Sequence, residues 1–280
     1  MCNQKEAICR FVKGQTDDAG NEAIKLFLPV NNGYVNYNIV HSVNARSNCD
    51  TWRLSVAYWC DDKLSPIKPL TRAGAEWEMA LKIQQRPDFI GGYAHGDEVF
   101  QKVKLTVDEK EREFEAITEL IPFRTLVLEV WSKGFDPIDS VTEALLHYKK
   151  ITVSNREVSV EQKVEWLNDY LLGNSYMAMM PPFKEVTDHY YTDADADKKP
   201  ISVNVSISES GLHDTLYLCG ESGFTFGMKV GKSLSGGENR FLITDNGGVP
   251  YNKMYFLLDH SGSVKKGNAW ETCTVYTIKN

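Results

Sequence analysis

Segment after segment of this chain alternates apolar and polar residues, and no stretch sustains the three-and-four spacing of a long amphipathic helix. Side chains along a strand point alternately to opposite faces, so a period of two builds sheets with one buried face. Residues 34–40 and 52–59 alternate with heavy aromatic content, and residues 23–30 read as a short edge element. Trp77, Met79, Leu81 and Ile83 share one face of a further expected strand, with Glu78 and Lys82 opposite. Val99, Gln101, Val103, Leu105 and Val107 share the face of another, and residues 125–131, 151–153 and 158–166 continue the pattern. Residues 176–180 are apolar on both faces, hence deeply buried, and Pro181-Pro182 ends them. Residues 167–172 read as one helical turn.

After a polar break at residues 193–200 the strand signals return, separated by glycine-rich turns at residues 235–238 and 246–248. About fifteen short strands at roughly ten-residue spacing predict an all-β fold. Its expected form is a large antiparallel β-sandwich of the jelly-roll or supersandwich type, with few short helices. Sandwiches of this length fold as one unit, so a single domain over residues 1–280 is expected. The missing fixed-period repeat disfavours a propeller.

A formal charge of -7 speaks against nucleic acid as a partner, because phosphate affinity needs clustered Lys and Arg and the basic pairs here are isolated. No apolar run reaches membrane-spanning length, and the N-terminus lacks a signal-peptide core. A cytoplasmic, virion-associated or signal-cleaved secreted protein is expected. The six cysteines show no zinc spacing. Free buried thiols are expected, with a Cys49–Cys60 bridge across a hairpin as the alternative. The 193–197 run has the DxDxD spacing of a calcium loop but fails the rest of that pattern, so a solvated acidic turn is expected.

The most chemically suggestive segment is residues 89–98, Phe-Ile-Gly-Gly-Tyr-Ala-His-Gly-Asp-Glu. Its three glycines allow positive φ and close backbone approach, holding Tyr93, His95, Asp97 and Glu98 in a kinked presentation. His95 and Glu98 also have the HxxE spacing of zinc carboxypeptidases, with His260 as the distant third ligand such a site would need. The strand-like alternation that follows is wrong for that family's helix, so no metal site is expected.

The alternation and this bend resemble carbohydrate-processing β-sandwich proteins, including polysaccharide lyases and phage-borne glycan-active proteins. The resemblance implies a polysaccharide or oligosaccharide partner and cleavage of a uronate-containing glycan by β-elimination. That chemistry needs a base, a neutraliser for the uronate carboxylate and an acid for the leaving oxygen. On this reading His95 is the base and Tyr93 the acid, with His147 a second candidate base. Arg72, Arg86 and Lys149 are candidate neutralisers, and Glu98 joins the substrate-binding set. For a glycoside hydrolase, Asp97 and Glu98 would be the acids to test, each needing a partner from another strand. The competing class is a non-catalytic glycan-binding or virion structural module. No cofactor and no oligomeric state is named by the sequence.

Overall fold

The computed structural model describes residues 5–14, 20–154, 156–202, 204–211, 213–232, 239–245, 247–258 and 262–280. Cys2, His260, the expected turn at 235–238 and position 246 lie outside them. The alternation translates directly into strands with one buried face. In Leu126–Phe135, for example, Leu126, Leu128 and Val130 are buried while the residues between them stay partly exposed.

Sixteen strands join one large sheet. From one edge it runs Lys199–Pro200, His189–Thr192, Thr215–Cys219, Thr225–Lys232, Ala269–Lys279, Val158–Trp166, Glu143–Val153 and Leu126–Phe135. It continues through Glu98–Val107, Cys49–Cys60, Gly33–Asn44, Gly20–Val30, Ala7–Lys13 and Ile121–Phe123, and off this path Pro66–Pro69 pairs with Cys49–Cys60 and Lys110–Arg112 with Glu98–Val107. Facing it is a smaller sheet of four strands, in the order Ser175–Met180, Asn252–Leu258, Asn239–Asp245 and Ser206–Gly211. Among the described residues the only helical elements are two 3-10 turns, Phe114–Ile117 and Lys184–Val186, and no helix is long and apolar enough to cross a membrane. The structure is thus the expected all-β sandwich.

Both sheets feed one apolar core. Trp77 sits at its centre, donating its indole N–H to the Ser55 carbonyl at 2.9 Å and meeting Tyr37 and Tyr276 edge-on. Truncating a buried tryptophan of this kind costs about 3–5 kcal/mol. Gln162 of the large sheet ties the layers together by donating to the Met177 carbonyl of the small one, at 2.6 Å.

Among the described residues all strand pairs are antiparallel except one: Cys49–Cys60 and Glu98–Val107 run parallel, with Cys49 opposite Glu98. A parallel pair needs a crossover, and residues 61–97 provide it. Here the structure corrects two expectations. The expected strand at 77–83 is an irregular run that makes only isolated bridges, Ala80 to Tyr176 of Ser175–Met180, Leu81 to Ile90 and Ile83 to Leu172. Glu78, expected outside with Lys82, is buried, because its carboxylate accepts the Leu54 backbone N–H at 2.7 Å. The helical turn expected at 167–172 is instead the short strand Tyr170–Leu171. Cys49 and Cys60 stand at opposite ends of one twelve-residue strand, so they cannot meet, and both are buried free thiols. The 193–197 run is a turn in which Asp193 accepts the backbone N–H groups of Asp214 and Thr215.

Candidate functional site

The glycine-laced bend folds as its composition demands. Gly92 and Gly96 both hold φ near +78°, in the left-handed region that favours glycine. A Cβ at Gly92 would strike the Glu76 side chain, and one at Gly96 would strike the Ser47 carbonyl. Gly91 donates its N–H to the Gly96 carbonyl, and Asp97 to that of Ser47. The Tyr93 carbonyl accepts from Asn44 and Ser47 side chains. So pinned, the bend sends its titratable residues to three different places.

Glu98 points into the interior, where it meets His147 and Lys149. His147 Nδ1 lies 2.9 Å from Glu98 Oε1, and Thr51 Oγ1 donates to the same oxygen at 3.4 Å. The Lys149 ammonium lies 3.9 Å from Glu78 Oε1. Arg53 Nε donates to Ser42 Oγ at 2.8 Å, and its guanidinium sits 5.6 Å from the centre of the Tyr93 ring, which lies at the margin of the cluster. Burial opposes the charge on Glu98, but Lys149 and His147 outweigh it and hold the carboxyl at about 2. The His147 side chain is 0% exposed, and its Nε2 has no hydrogen-bond partner. Groups this enclosed can balance one another but do not meet solvent. Asp97 is also buried, its carboxyl raised by desolvation despite hydrogen bonds from Ser140 and Asn48.

His95 turns the other way, onto the outer face of the small sheet. Its Nδ1 lies 2.6 Å from Asp88 Oδ1 and its ring packs 4.8 Å from that of Phe89. From Phe89 a lane of rings runs across the sheet: Phe89 to Tyr176 at 6.4 Å, then Tyr176 to Tyr255 at 4.7 Å. A lysine stands at each end. Lys82 Nζ is 5.0 Å from the Phe89 ring and donates to the Arg86 and Asp88 carbonyls, while Lys253 Nζ is 5.1 Å from the Tyr255 ring. Among the described residues Lys82 meets no carboxylate, whereas Lys253 pairs with Glu76 at 3.1 Å.

At its Tyr255 end the lane opens into a cavity of about 450 Å³, lined by Asn204, Ser206, Thr244, Tyr251, Lys253 and Tyr255. Asp245 is at its floor and accepts Lys184 Nζ at 2.5 Å. Burial works against ionisation of Glu76, yet Lys253 and then His95 bring its carboxyl below the usual range, which ties His95 electrostatically to this groove. Desolvation pushes the Tyr255 phenol up to about 12 and raises Tyr176, so both remain protonated hydrogen-bond donors at neutral pH.

The residues singled out in the sequence are therefore divided. Glu98, His147 and Lys149 are together, but inside. Tyr93 borders them through Arg53, and His95 faces the open groove. Arg86 is engaged in a bidentate pair with Asp136. Arg72 is exposed beside Pro181, to whose carbonyl its backbone N–H donates. His95 and Glu98 serve different clusters, and no three His, Cys, Asp or Glu side chains converge as metal ligands among the described residues. Sequence reasoning missed Glu76, Lys82, Asp88, Tyr176, Lys253 and Tyr255. Only Asp88, just before the bend, carried a local signal.

No family model matches the chain, and no curated protein matches it. Solved structures do. A GH36 α-galactosidase from Geobacillus stearothermophilus, solved with raffinose, superposes with a TM-score of 0.51 at 10% identity, over 91% of this chain and 40% of that one. A 4-α-glucanotransferase from Thermococcus litoralis gives 0.48 at 5% identity, over 97% of this chain and 39% of that one. A heparan sulfate lyase from Pedobacter heparinus gives 0.45 at 10% identity, over 96% and 37%. The chain thus spans less than half the length of each. At this identity the galactosidase shows the fold alone: this chain is similar in fold to a part of it.

Proposed function

We propose that the chain binds carbohydrate along the Phe89–Tyr176–Tyr255 lane and that His95, oriented by Asp88, removes a proton from the sugar bound there. The observation that carries this reading is the presence of a histidine–carboxylate dyad and an aromatic lane on one open face. Aromatic rings offer flat apolar surface to the C–H faces of pyranoses, while hydroxyl, amide and charged groups around them take the sugar hydroxyls. With Nδ1–H given to Asp88, His95 presents Nε2 as the proton acceptor. Carbohydrate-named neighbours share the fold and so agree with this choice of ligand class.

For a uronate substrate the step is a β-elimination. His95 takes the proton α to the carboxylate, the C=C bond forms as the glycosidic C–O bond breaks, and the leaving oxygen is protonated by a phenol. Tyr176 fills that role in place of Tyr93, since its ring lies on the lane beside Phe89 while the Tyr93 ring packs against Arg53 at the margin of the interior cluster. Lys82, with only carbonyl partners, neutralises the substrate carboxylate. Glu98, His147 and Lys149 then support the fold beneath the site rather than touch sugar.

One observation favours a second reading, binding without turnover. The one cation in the described lining of the cavity, Lys253, is already matched by Glu76, and the lining carboxylate Asp245 by Lys184, which suits a neutral sugar better than a polyuronate. Ultraviolet absorbance of unsaturated product on a panel of uronate polymers separates the two. Product formed by the native chain and lost in His95→Gln supports elimination; persistence in that variant removes His95 from the chemistry. Saturable binding across the panel with no product leaves the binding module.

A further inference from the structure

The outer face of the large sheet, on the opposite side of the molecule from the small sheet, carries a second cleft of about 290 Å³. It lies over four neighbouring strands, Glu98–Val107, Leu126–Phe135, Glu143–Val153 and Val158–Trp166. Register places Lys102, Trp131, Tyr148 and Lys163 in one row straight across them. The Trp131 and Tyr148 rings are 5.2 Å apart and tilted, forming an open apolar floor. Gln101, Lys133, Leu146, Lys163 and Glu165 complete the walls.

A flat sheet face has no cleft, and two irregularities of the backbone shape this one. The register of Glu98–Val107 slips between Phe100 and Lys102, which places Gln101 at the rim. The pairing of Leu126–Phe135 with Glu143–Val153 slips between Glu143 and Leu145. Bulges of this kind bend a strand and re-aim its side chains.

The next row along the strands shows what an ordinary solvated face looks like. Lys104, Glu129, Lys150 and Glu161 alternate in sign, and they pair: Lys150 with Glu161 at 2.9 Å, Lys104 with Glu111 at 3.3 Å, and Glu129 with the Tyr148 hydroxyl at 2.7 Å. In the Trp131 row the two rings replace that alternation. A protein partner would require a broad contiguous apolar patch. Among the described residues, Leu146 is the only large aliphatic side chain on these four strands that is exposed, Val99, Val103 and Val127 being half-buried. The combination of a small cleft, a floor of two tilted rings and a rim of amide, ammonium and carboxylate groups is chemistry for a pyranose.

We propose that this cleft is a second carbohydrate-binding site, separate from the groove on the small sheet. It takes one pyranose residue of a glycan chain, the ring against Trp131 and Tyr148 and the hydroxyls on Gln101, Lys163 and Glu165. Lys102, whose ammonium sits 4.9 Å over the Trp131 ring, is displaced by the sugar and donates to its hydroxyls. The site stands independently of the groove, and a chain with both would hold a polymer at two points and gain avidity.

The test is calorimetric titration of the full chain with galacto-, gluco-, manno- and galacturono-tetrasaccharides. The native protein, Trp131→Ala, Gln101→Ala and Tyr255→Ala are compared, with thermal unfolding confirming that each variant folds. Two saturable events are expected for a sugar that fits both places. Trp131→Ala weakens one of them about tenfold and Gln101→Ala weakens the same one less. Tyr255→Ala affects only the other. If Tyr255→Ala changes nothing while Trp131→Ala abolishes all binding, the groove reading fails and this site stands. Isotherms unmoved by both Trp131→Ala and Gln101→Ala overturn the proposal, as does a native chain that binds no probe. Self-association in sedimentation that disappears in Trp131→Ala also overturns it, by assigning the face to a contact between copies.

Discussion

The interior cluster of Glu98, His147 and Lys149 and the open lane of His95, Tyr176 and Tyr255 use the same kinds of residue to opposite ends. Inside, Glu98 meets the His147 ring at 2.9 Å and Glu78 the Lys149 ammonium at 3.9 Å, and these groups are sealed from water. On the lane His95 keeps one ring nitrogen beyond its Asp88 partner, and Lys82 meets only carbonyls. Polar residues in a fold are informative by what they leave unsatisfied towards solvent, and less by their identity. The bend at Gly91–Gly96 makes the difference, since it turns His95 outward and Glu98 inward within four residues.

The sharpest way to break the comparison is to remove a charge from the inner cluster. Lys149→Met leaves Glu98 and Glu78 buried without their ammonium and costs about 3–5 kcal/mol, read by denaturant unfolding. The corresponding change outside, Lys82→Met, leaves stability almost unchanged. Next in size, His95→Gln lowers turnover of any processed glycan by about a hundredfold while retaining binding, as expected for a lost general base. Unchanged turnover would move His95 to a structural role. Tyr255→Ala weakens glycan binding about tenfold in calorimetry with little change in melting temperature.

The smallest effect is in pH dependence, and in the interior cluster it falls on Glu98. Glu98 is held at about 2, below its ordinary 4.5. Its lowered value contributes stability that is fully present above pH 4.5 and is lost as pH falls towards about 2. Removing the Lys149 charge should therefore raise the acid-unfolding midpoint, and an unmoved midpoint would mean that Lys149 does not hold Glu98 down.

The sheets were legible in the sequence because alternation is a local signal: Leu126, Leu128 and Val130 declare their buried face without reference to anything distant. The kinked bend was legible too, since its glycines announce positive φ. The crossover was not. Trp77, Met79, Leu81 and Ile83 alternate as a strand would, yet tertiary contacts made the run irregular and turned Glu78 inward. Nor could the groove be read, because its pairs are remote: Glu76 and Lys253 are separated by 177 positions. No spacing rule links such residues. His147 and Lys149 show the converse limit, for their alternation with Ile151 placed them on the core face, and the appeal of their chemistry hid that.

The single parallel pairing has a kinetic consequence. Antiparallel neighbours joined by tight turns can zip locally, but Cys49–Cys60 and Glu98–Val107 must wait for the intervening crossover to close. That same crossover carries Glu76, Asp88 and His95, and it is secured by partners near the far end of the chain, Lys253 and Tyr276. The groove therefore needs both the crossover and the last strands of the chain in place, and recovery of sugar binding in refolding should lag behind formation of the local hairpins.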